Sequence, residues 1–232
     1  MSLRPGGISF TRQLVNELGV AIVAGEYSRG EAFPTEADLC VKYEASRTAV
    51  REAIKMLTAK GLLAARPRHG TWILGEEQWN LLDPDVLTWL LERQFSVTLI
   101  KQFTETRRAF EPEAARLAAL KMDEEKIAQI AVALERMEAS EKGLDDPLAS
   151  DIAFHVAVLN ASDNPFFKQL EEMVKCALTY SIRLTNRFKG VDRASSVDHR
   201  AVYEAIAAGQ SQIAVEAMQK LIDEALELIE KT

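Results

Sequence analysis

Apolar residues recur at helical spacing in three short segments of the first 60 residues, and polar or glycine-containing stretches separate the segments. The first segment, which includes Leu18, predicts a helix over residues 10–24. Thr35 and Ser46 each precede one of the other two segments, and both are residue types that cap the N-terminus of a helix. The pattern therefore predicts three helices, the last of which ends at Gly61.

The pattern changes after the third helix. Residues 62–64 and 71–73 are runs that suit brief strands and are too short for helices, and the proline and glycine between them favour a turn. We therefore predict a hairpin. Three helices followed by a hairpin describe a winged helix-turn-helix, a fold that binds DNA. We assign residues 8–74 to this DNA-binding domain and residues 75–82 to a linker.

Residues 83–232 show the helical period throughout. Asn164 precedes a proline and caps a predicted helix that runs to about residue 188. A longer segment over residues 97–121 contains Pro112, which we expect to kink or break the helix. The fold class expected is mainly α, with a winged helix-turn-helix followed by an all-α bundle of six or seven helices.

The composition is that of a globular protein: 47% of the 232 residues are hydrophobic and 27% are charged. No apolar run reaches the roughly 20 residues needed to cross a bilayer, and the N-terminus lacks the pattern of a signal peptide. Cys40 and Cys176 are far apart in sequence, so we expect buried thiols and no disulfide framework. A cytoplasmic protein without membrane contact is the expectation.

The net charge of −7 is unevenly distributed along the chain. Residues 1–75 contain ten lysines and arginines against seven acidic residues, a balance of +3. Residues 76–232 contain 18 basic residues against 28 acidic ones, a balance of −10. A basic module therefore precedes an acidic one, and nucleic acid is an expected partner of the basic module.

The basic side chains occur where a DNA-binding helix and wing make their contacts. The outward side of the third helix carries cations in its first turns, where a recognition helix contacts base edges, and the hairpin tip can meet phosphates. An arginine can pair bidentately with guanine. Outward cations are by themselves more often a solvated face, and that alternative stays open. The candidate DNA-binding residues are Ser46, Arg47, Thr48, Arg51, Arg66, Arg68, His69 and Gly70.

Asp151 and His155 stand one helical turn apart in an apolar segment that should be buried. Buried polar groups need partners, so the two residues either satisfy each other or bind a ligand. With His199 they offer one carboxylate and two imidazoles, the ligand types of zinc or a similar divalent ion. A metal at this place also leaves open a metal-dependent hydrolase.

The stretch FPTEADLCVKYEASRTAVREAIKMLTAKGLLAARPRHGTWI, residues 33–73, contains motifs at residues 34–36, 46–54 and 70–73. It resembles the DNA-binding head of the GntR family of bacterial transcription regulators. The resemblance implies a regulator, not an enzyme, that binds operator DNA as a homodimer. Ala37 departs from the family pattern, because many relatives have a DNA-contacting arginine there, and it implies a changed contact with the operator.

Three later segments, RRAFEPEAARLAA, DIAFHVAVLNASDNP and DHRAVYEAIAAG, look like signatures of the FCD effector-binding domain found in the FadR-type branch of this family. In many members an aspartate and three histidines hold zinc or a similar metal. Asp151, His155 and His199 match three of these ligands, and Leu221 stands at the fourth position. The resemblance thus implies either open coordination positions or weakened metal binding.

The linker segment QWNLLDPDVLTWLLE is similar to that of galactonate-operon repressors of sugar-acid catabolism. In those relatives the first arginine of the R…EP signature helps to bind the effector carboxylate, and Arg107 stands at that place. An ion pair of Arg107 with Glu111 or Glu105 is the alternative. The resemblance implies a repressor whose operator affinity is controlled by a small organic or sugar acid.

Overall fold

Helices dominate the structure, a computed structural model that describes residues 10–27, 33–66, 70–93, 96–189 and 196–231. The described ranges contain eleven α-helices and one two-stranded antiparallel sheet, which confirms the mainly α fold class. The chain forms two units, residues 1–95 and residues 96–232. No helix among the described residues is long and apolar enough to cross a membrane.

The first unit has the element order of a winged helix-turn-helix, followed by one further helix. Its elements are α1 (Phe10–Val23), α2 (Glu36–Lys42), α3 (Arg47–Ala59), β1 (Leu63–Arg66), β2 (Gly70–Ile73), a 3-10 turn (Glu76–Gln78) and α4 (Pro84–Arg93). Leu18 of α1, Leu39 of α2 and Leu57 of α3 are fully buried in one shared core.

Side-chain caps fix where α2 and α3 begin. Thr35 forms a capping box with Asp38: its hydroxyl accepts from the backbone N–H of Asp38, whose carboxylate accepts from the Thr35 N–H. The Ser46 hydroxyl accepts from the Ala49 N–H. These bonds satisfy amide groups that have no partner inside the helix. The first turns of both helices are therefore held in place.

Strands β1 and β2 form the hairpin of the wing. Leu63 pairs with Ile73 at its base, and Arg66 pairs with Gly70 near its tip. Gly70 has a φ of 80°, a backbone conformation that residues other than glycine rarely adopt. The predicted wing-tip residues Arg68 and His69 lie outside the described residues.

Helix α4 packs against α1 within the first unit, whereas the sequence assigned residue 83 onward to the second domain. Trp89 of α4 is 2% exposed, and its Nε1–H donates to Asn16 Oδ1 at 2.7 Å. Gly19 leaves room for this ring, since a Cβ there would lie 2.4 Å from it. Burial of Trp89 on α1 thus makes α4 part of the first unit.

The described residues of the second unit form seven helices. They are α5 (Val97–Lys121), α6 (Glu124–Glu141), α7 (Pro147–Ala161), α8 (Pro165–Gln169), α9 (Glu171–Lys189), α10 (Ser196–Ala207) and α11 (Ser211–Glu230). The six or seven helices predicted for residues 83–232 included α4, so the described part of that range contains eight, one more than expected. Helix α5 continues through Pro112, which was expected to kink or break it. The single helix predicted after Asn164 is divided at Leu170 into α8 and α9.

Helix α7 packs against α5, α6 and α9, and this surrounding explains its apolar sequence. Phe154, Val158 and Leu159 are almost completely buried, as the sequence predicted for this segment. Asp151 and His155 lie on the same helix and are also buried. The bundle therefore encloses polar groups, and their partners come from α7 itself and from neighbouring helices.

Candidate functional site

Helix α3 separates a buried face from an exposed face that carries candidate DNA-binding residues. Its buried side chains are Ala49, Val50, Ala53 and Leu57. Arg47, Thr48 and Arg51 are exposed, on the outward side to which the sequence assigned them. Ser46 is also exposed, and its hydroxyl caps α3. The arrangement leaves the first turns of α3 accessible to a macromolecule.

Two ion pairs lie on the exposed surface around α3. Arg51 Nε donates to Glu36 Oε2 of α2 at 2.8 Å, and Lys55 Nζ donates to Glu52 Oε1 at 2.8 Å. The second pair joins residues of the same helix, whereas the first joins α2 to α3. The partnership of Glu36 with Arg51 was not predicted from the sequence, because the residues are 15 positions apart.

The wing supplies a further cation near the hairpin tip. Arg66 is exposed, and its guanidinium carbon lies 5.6 Å from the centroid of the Trp72 ring. A guanidinium at this distance from an aromatic face is attracted to it, which restricts where the side chain can point. Gly70 stands opposite Arg66 in the register and is exposed.

In the second unit, Asp151 and His155 of α7 meet His199 of α10. His155 Nε2 lies 3.4 Å from Asp151 Oδ1, and His199 Nε2 lies 3.6 Å from the same oxygen. The three residues can each offer one ligand atom such that these atoms all lie within 4.8 Å of one another. All three side chains are buried.

Glu111 and Arg107 of α5 extend this cluster. Glu111 Oε2 lies 2.8 Å from Nδ1 of His155, and Arg107 holds both oxygens of Glu111, with Nε–Oε1 at 2.6 Å and Nη2–Oε2 at 3.1 Å. Arg107 and Glu111 are 3% and 1% exposed. The ion-pair alternative for Arg107 is thus present, but the contact of Glu111 with His155 was not predicted.

The burial of these charges is offset by the contacts among them. Burial raises the pKa of Glu111, but the charges of Arg107 and His155 outweigh it and lower the pKa to about 2. Burial also raises the pKa of Asp151, but hydrogen bonds with His155 and His199 bring it below its ordinary value. Burial lowers the pKa of His155, whereas the charge of Glu111 leads to a net increase. Both carboxylates are therefore ionised at neutral pH.

The donor set fits a divalent metal ion. In a tetrahedral zinc site with bonds of about 2.0–2.1 Å, ligand atoms lie about 3.3 Å apart, close to the distances from Asp151 Oδ1 to the two imidazoles. The carboxylates of Asp151 and Glu111 carry two negative charges, and the guanidinium of Arg107 carries one positive charge. With both imidazoles neutral, the cluster therefore has a net charge of −1. Leu221, in α11, offers no ligand atom. The cluster can thus supply three protein ligands to a cation.

The ring of Phe154 packs against both histidines. Its centroid lies 5.0 Å from that of His199 and 6.0 Å from that of His155, in both cases with nearly perpendicular ring planes. Phe154 is fully buried. Because the phenyl ring fixes the imidazoles from one side, the orientation of both rings is restricted before any ligand binds.

Two family models match the chain, one in each unit. The model described as bacterial regulatory proteins, gntR family, matches residues 10–73, and the FCD domain model matches residues 102–224. The first match covers the three helices and the hairpin that carry the exposed candidate residues. The second covers Arg107, Glu111 and all three residues of the metal-ligand cluster.

Relatives from Escherichia coli (strain K12) agree with these matches. The chain is 38% identical to the galactonate operon transcriptional repressor over 160 residues, which cover 69% of this chain and 70% of the relative. It is 32% identical over 213 residues to the uncharacterized HTH-type transcriptional regulator YieP, covering 90% of both chains. The solved structure of Lar from Listeria monocytogenes aligns with a TM-score of 0.63 at 18% identity, covering 98% of this chain and 99% of that one.

These similarities do not support the metal-dependent hydrolase that the cluster of Asp151, His155 and His199 had left open. They account for both the exposed basic helix of the first unit and the buried polar cluster of the second. The chain belongs to the GntR family of bacterial regulatory proteins, in the branch that carries an FCD domain, and is a transcription regulator and not an enzyme.

Proposed function

We propose that the protein is a cytoplasmic, homodimeric repressor whose operator affinity is controlled by a small organic or sugar acid bound in the second unit. The observation that carries the proposal is the pairing of an exposed, capped α3 with a buried carboxylate and imidazole cluster in one chain. The 38% identity to the galactonate operon transcriptional repressor supports repression as the outcome and a sugar acid as the class of effector.

The first unit is proposed to place α3 in the major groove of the operator. Arg47, Thr48 and Arg51 then face base edges and phosphates, and the Ser46 cap keeps the start of the helix rigid. The wing residues Arg66, Arg68, His69 and Gly70 contact the sugar-phosphate backbone or the minor groove. A homodimer would present two such helices and read an operator with two-fold symmetry.

The second unit is proposed to hold zinc or a similar divalent ion through Asp151, His155 and His199. With only three protein ligands, such an ion would be able to bind carboxylate or hydroxyl oxygens of the effector. Glu111 supports this arrangement, because its acceptor beside Nδ1 favours the tautomer of His155 that leaves the Nε2 lone pair for a metal.

Arg107 is proposed to bind the carboxylate of the effector. Its Nε and Nη2 already bond to Glu111, so an incoming carboxylate meets the remaining amino group or displaces part of this pair. Removal of the guanidinium would also leave Glu111 buried without its counter-ion, which is strongly destabilising. The informative substitution is therefore Arg107→Lys, which retains the charge but loses the planar, bidentate geometry.

The test is fluorescence anisotropy with a labelled DNA fragment from upstream of the gene, with and without aldonic, uronic and dicarboxylic acids. We expect one class of acid to change DNA affinity about 5- to 150-fold, as a coupling free energy of about 1–3 kcal/mol implies. Arg51→Ala should lose specific DNA binding. Arg107→Lys should retain DNA binding and lose the response to the acid.

Unchanged DNA affinity in Arg51→Ala would contradict the placement of α3 at the DNA interface. An undiminished response to the acid in Arg107→Lys would contradict the placement of Arg107 in the effector site. If none of the acids alters DNA affinity in the wild-type protein loaded with zinc, the proposed class of effector is wrong.

A further inference from the structure

Glu36 is an acidic residue on the surface that the proposed function turns towards DNA. It lies in the first turn of α2 and accepts a hydrogen bond from Arg51, a residue of the exposed face of α3. Beside DNA phosphates a carboxylate is repelled, so its charge alone would weaken binding. The side chains of this pair are 61% and 40% exposed, and such exposed pairs contribute little to folding stability. Neither attraction to DNA nor folding stability therefore accounts for a glutamate at position 36.

We infer that Glu36 is a positioning residue that orients Arg51 for base recognition and thereby sets part of the operator specificity. This inference rests on the proposed role of Arg51 at the DNA. Glu36 accepts from Nε, on one edge of the guanidinium. The two terminal amino groups of Arg51 remain available at the opposite end, and these groups can donate together to O6 and N7 of guanine.

Rigid backbone supports this role on both sides of the contact. The capping box of Thr35 and Asp38 fixes the turn that carries Glu36, and the Ser46 cap fixes the start of the helix that carries Arg51. An arginine side chain has many rotamers, and ordering it on binding costs free energy. Because Glu36 restricts Arg51 before DNA arrives, part of that ordering is complete in the free protein.

Glu52 provides a matched control for the charge of Glu36. It is also an exposed carboxylate of the same module, and it pairs at 2.8 Å with Lys55 of its own helix and not with Arg51. Replacing either glutamate by glutamine removes one negative charge near the DNA. Both variants should therefore bind DNA somewhat more tightly in general, whereas only Glu36→Gln should change the choice of base.

The experiment selects bound sequences from a library of randomised DNA duplexes, using the full-length wild-type protein, Glu36→Gln, Glu52→Gln and Arg51→Ala. For Glu36→Gln we expect the preference for guanine at one position of each half-site to fall about 5-fold or more, the lower end of what one bidentate pair contributes. Arg51→Ala should lose the preference at the same position. The salt dependence of binding should be the same for Glu36→Gln and Glu52→Gln.

Two results would contradict the roles assigned to Arg51 and Glu36. If Arg51→Ala keeps every base preference of the wild type, the proposed role of Arg51 is wrong. If Arg51→Ala loses one preference but Glu36→Gln selects the same sequences as Glu52→Gln, Arg51 reads the base without help and the inference about Glu36 is wrong.

Discussion

Among single residues, the buried histidines of the second unit lead to a clear prediction about thermal stability. His155 and His199 each come within 3.6 Å of one carboxylate oxygen of Asp151, and Phe154 restricts both rings. A divalent ion that binds only the folded state stabilises it by about 2.7 kcal/mol when its concentration is 100 times Kd. Binding of such an ion at the proposed site would therefore be linked to folding.

We expect added zinc to raise the thermal midpoint of the wild-type protein by roughly 5–10 °C at such a concentration. His155→Ala should abolish the increase because it removes one of three ligands. The measurement is far-UV circular dichroism, which follows the helices. His69→Ala is the control, because it removes a histidine of the first unit and should leave the increase intact. Equal shifts in His155→Ala and wild type would show that the ion binds elsewhere.

The sequence predicted that Asp151, His155 and His199 lie together, but it did not predict the contact of Glu111 with His155. The first two share a helical turn, and this spacing can be read directly from the sequence. The contact of Glu111 Oε2 with His155 Nδ1 joins residues 44 positions apart, and only the packing of α5 on α7 brings them together. The spacing of Arg107 and Glu111 indicated an ion pair. It did not indicate that the Glu111 carboxylate also contacts His155.

At the scale of elements, Lys60 connects the end of α3 to the start of α4. Its Nζ donates to both oxygens of Asp83 at 2.7 Å and to Asp85 Oδ2 at 2.8 Å, and its side chain is only 11% exposed. The adjacent Gly61 has a φ of 79°, and a Cβ there would lie 2.4 Å from the carbonyl oxygen of Gln78. Ionic contacts and close backbone approach together hold α4 on the first unit.

The Lys60 contacts predict a stability difference that depends on pH. Burial lowers the pKa of Lys60, but hydrogen bonds to Asp83 and Asp85 outweigh it and raise the pKa. For a raised pKa, the stabilisation is complete below the ordinary lysine value of about 10.4 and is lost as pH rises through the folded-state pKa. Lys60→Met should therefore destabilise the first unit by about 1–3 kcal/mol at pH 7. This range is below that of a fully buried ion pair, because the carboxylates of Asp83 and Asp85 are partly exposed.

Urea unfolding followed by tryptophan fluorescence measures this effect, because Trp72, Trp79 and Trp89 all belong to the first unit. The difference between wild type and Lys60→Met should be constant from pH 6 to pH 9 and shrink above about pH 10.4. Lys55→Met is the control, since Lys55 is exposed and should matter little. A difference that persists at high pH would assign the effect to the packing of the lysine stem.

The helices themselves follow from the sequence, whereas the assignment of α4 to a unit does not. Thr35 and Ser46 were identified as caps from residue type, and their side chains accept the expected backbone bonds. Helix α4 looked like the first helix of the acidic bundle, because periodicity shows that a helix has a buried face but not which neighbour covers it. The structure shows that α1 covers this face, because Gly19 of α1 leaves room for the Trp89 ring. The sequence alone does not show this contact.

For the whole molecule, the separation of charge is the feature that governs DNA binding over distance. The balance of +3 in residues 1–75 and −10 in the remainder was readable from the sequence, since charge needs no fold. A basic unit attracts the phosphate backbone, whereas an acidic unit is repelled by it. The arrangement should restrict DNA contact to the first unit and make binding strongly dependent on salt.

The wing can be tested through that salt dependence. In a plot of log affinity against log salt concentration, each phosphate contact contributes about −0.9 to the slope. Arg66→Gln should make the slope less negative by about 0.9 for each head that binds, with a similar loss of affinity for all sequences. Lys220→Gln removes an exposed cation of the second unit and should leave the slope unchanged. Equal slopes for Arg66→Gln and wild type would mean that the Arg66 side chain does not contact phosphate and that the wing binds DNA through other groups.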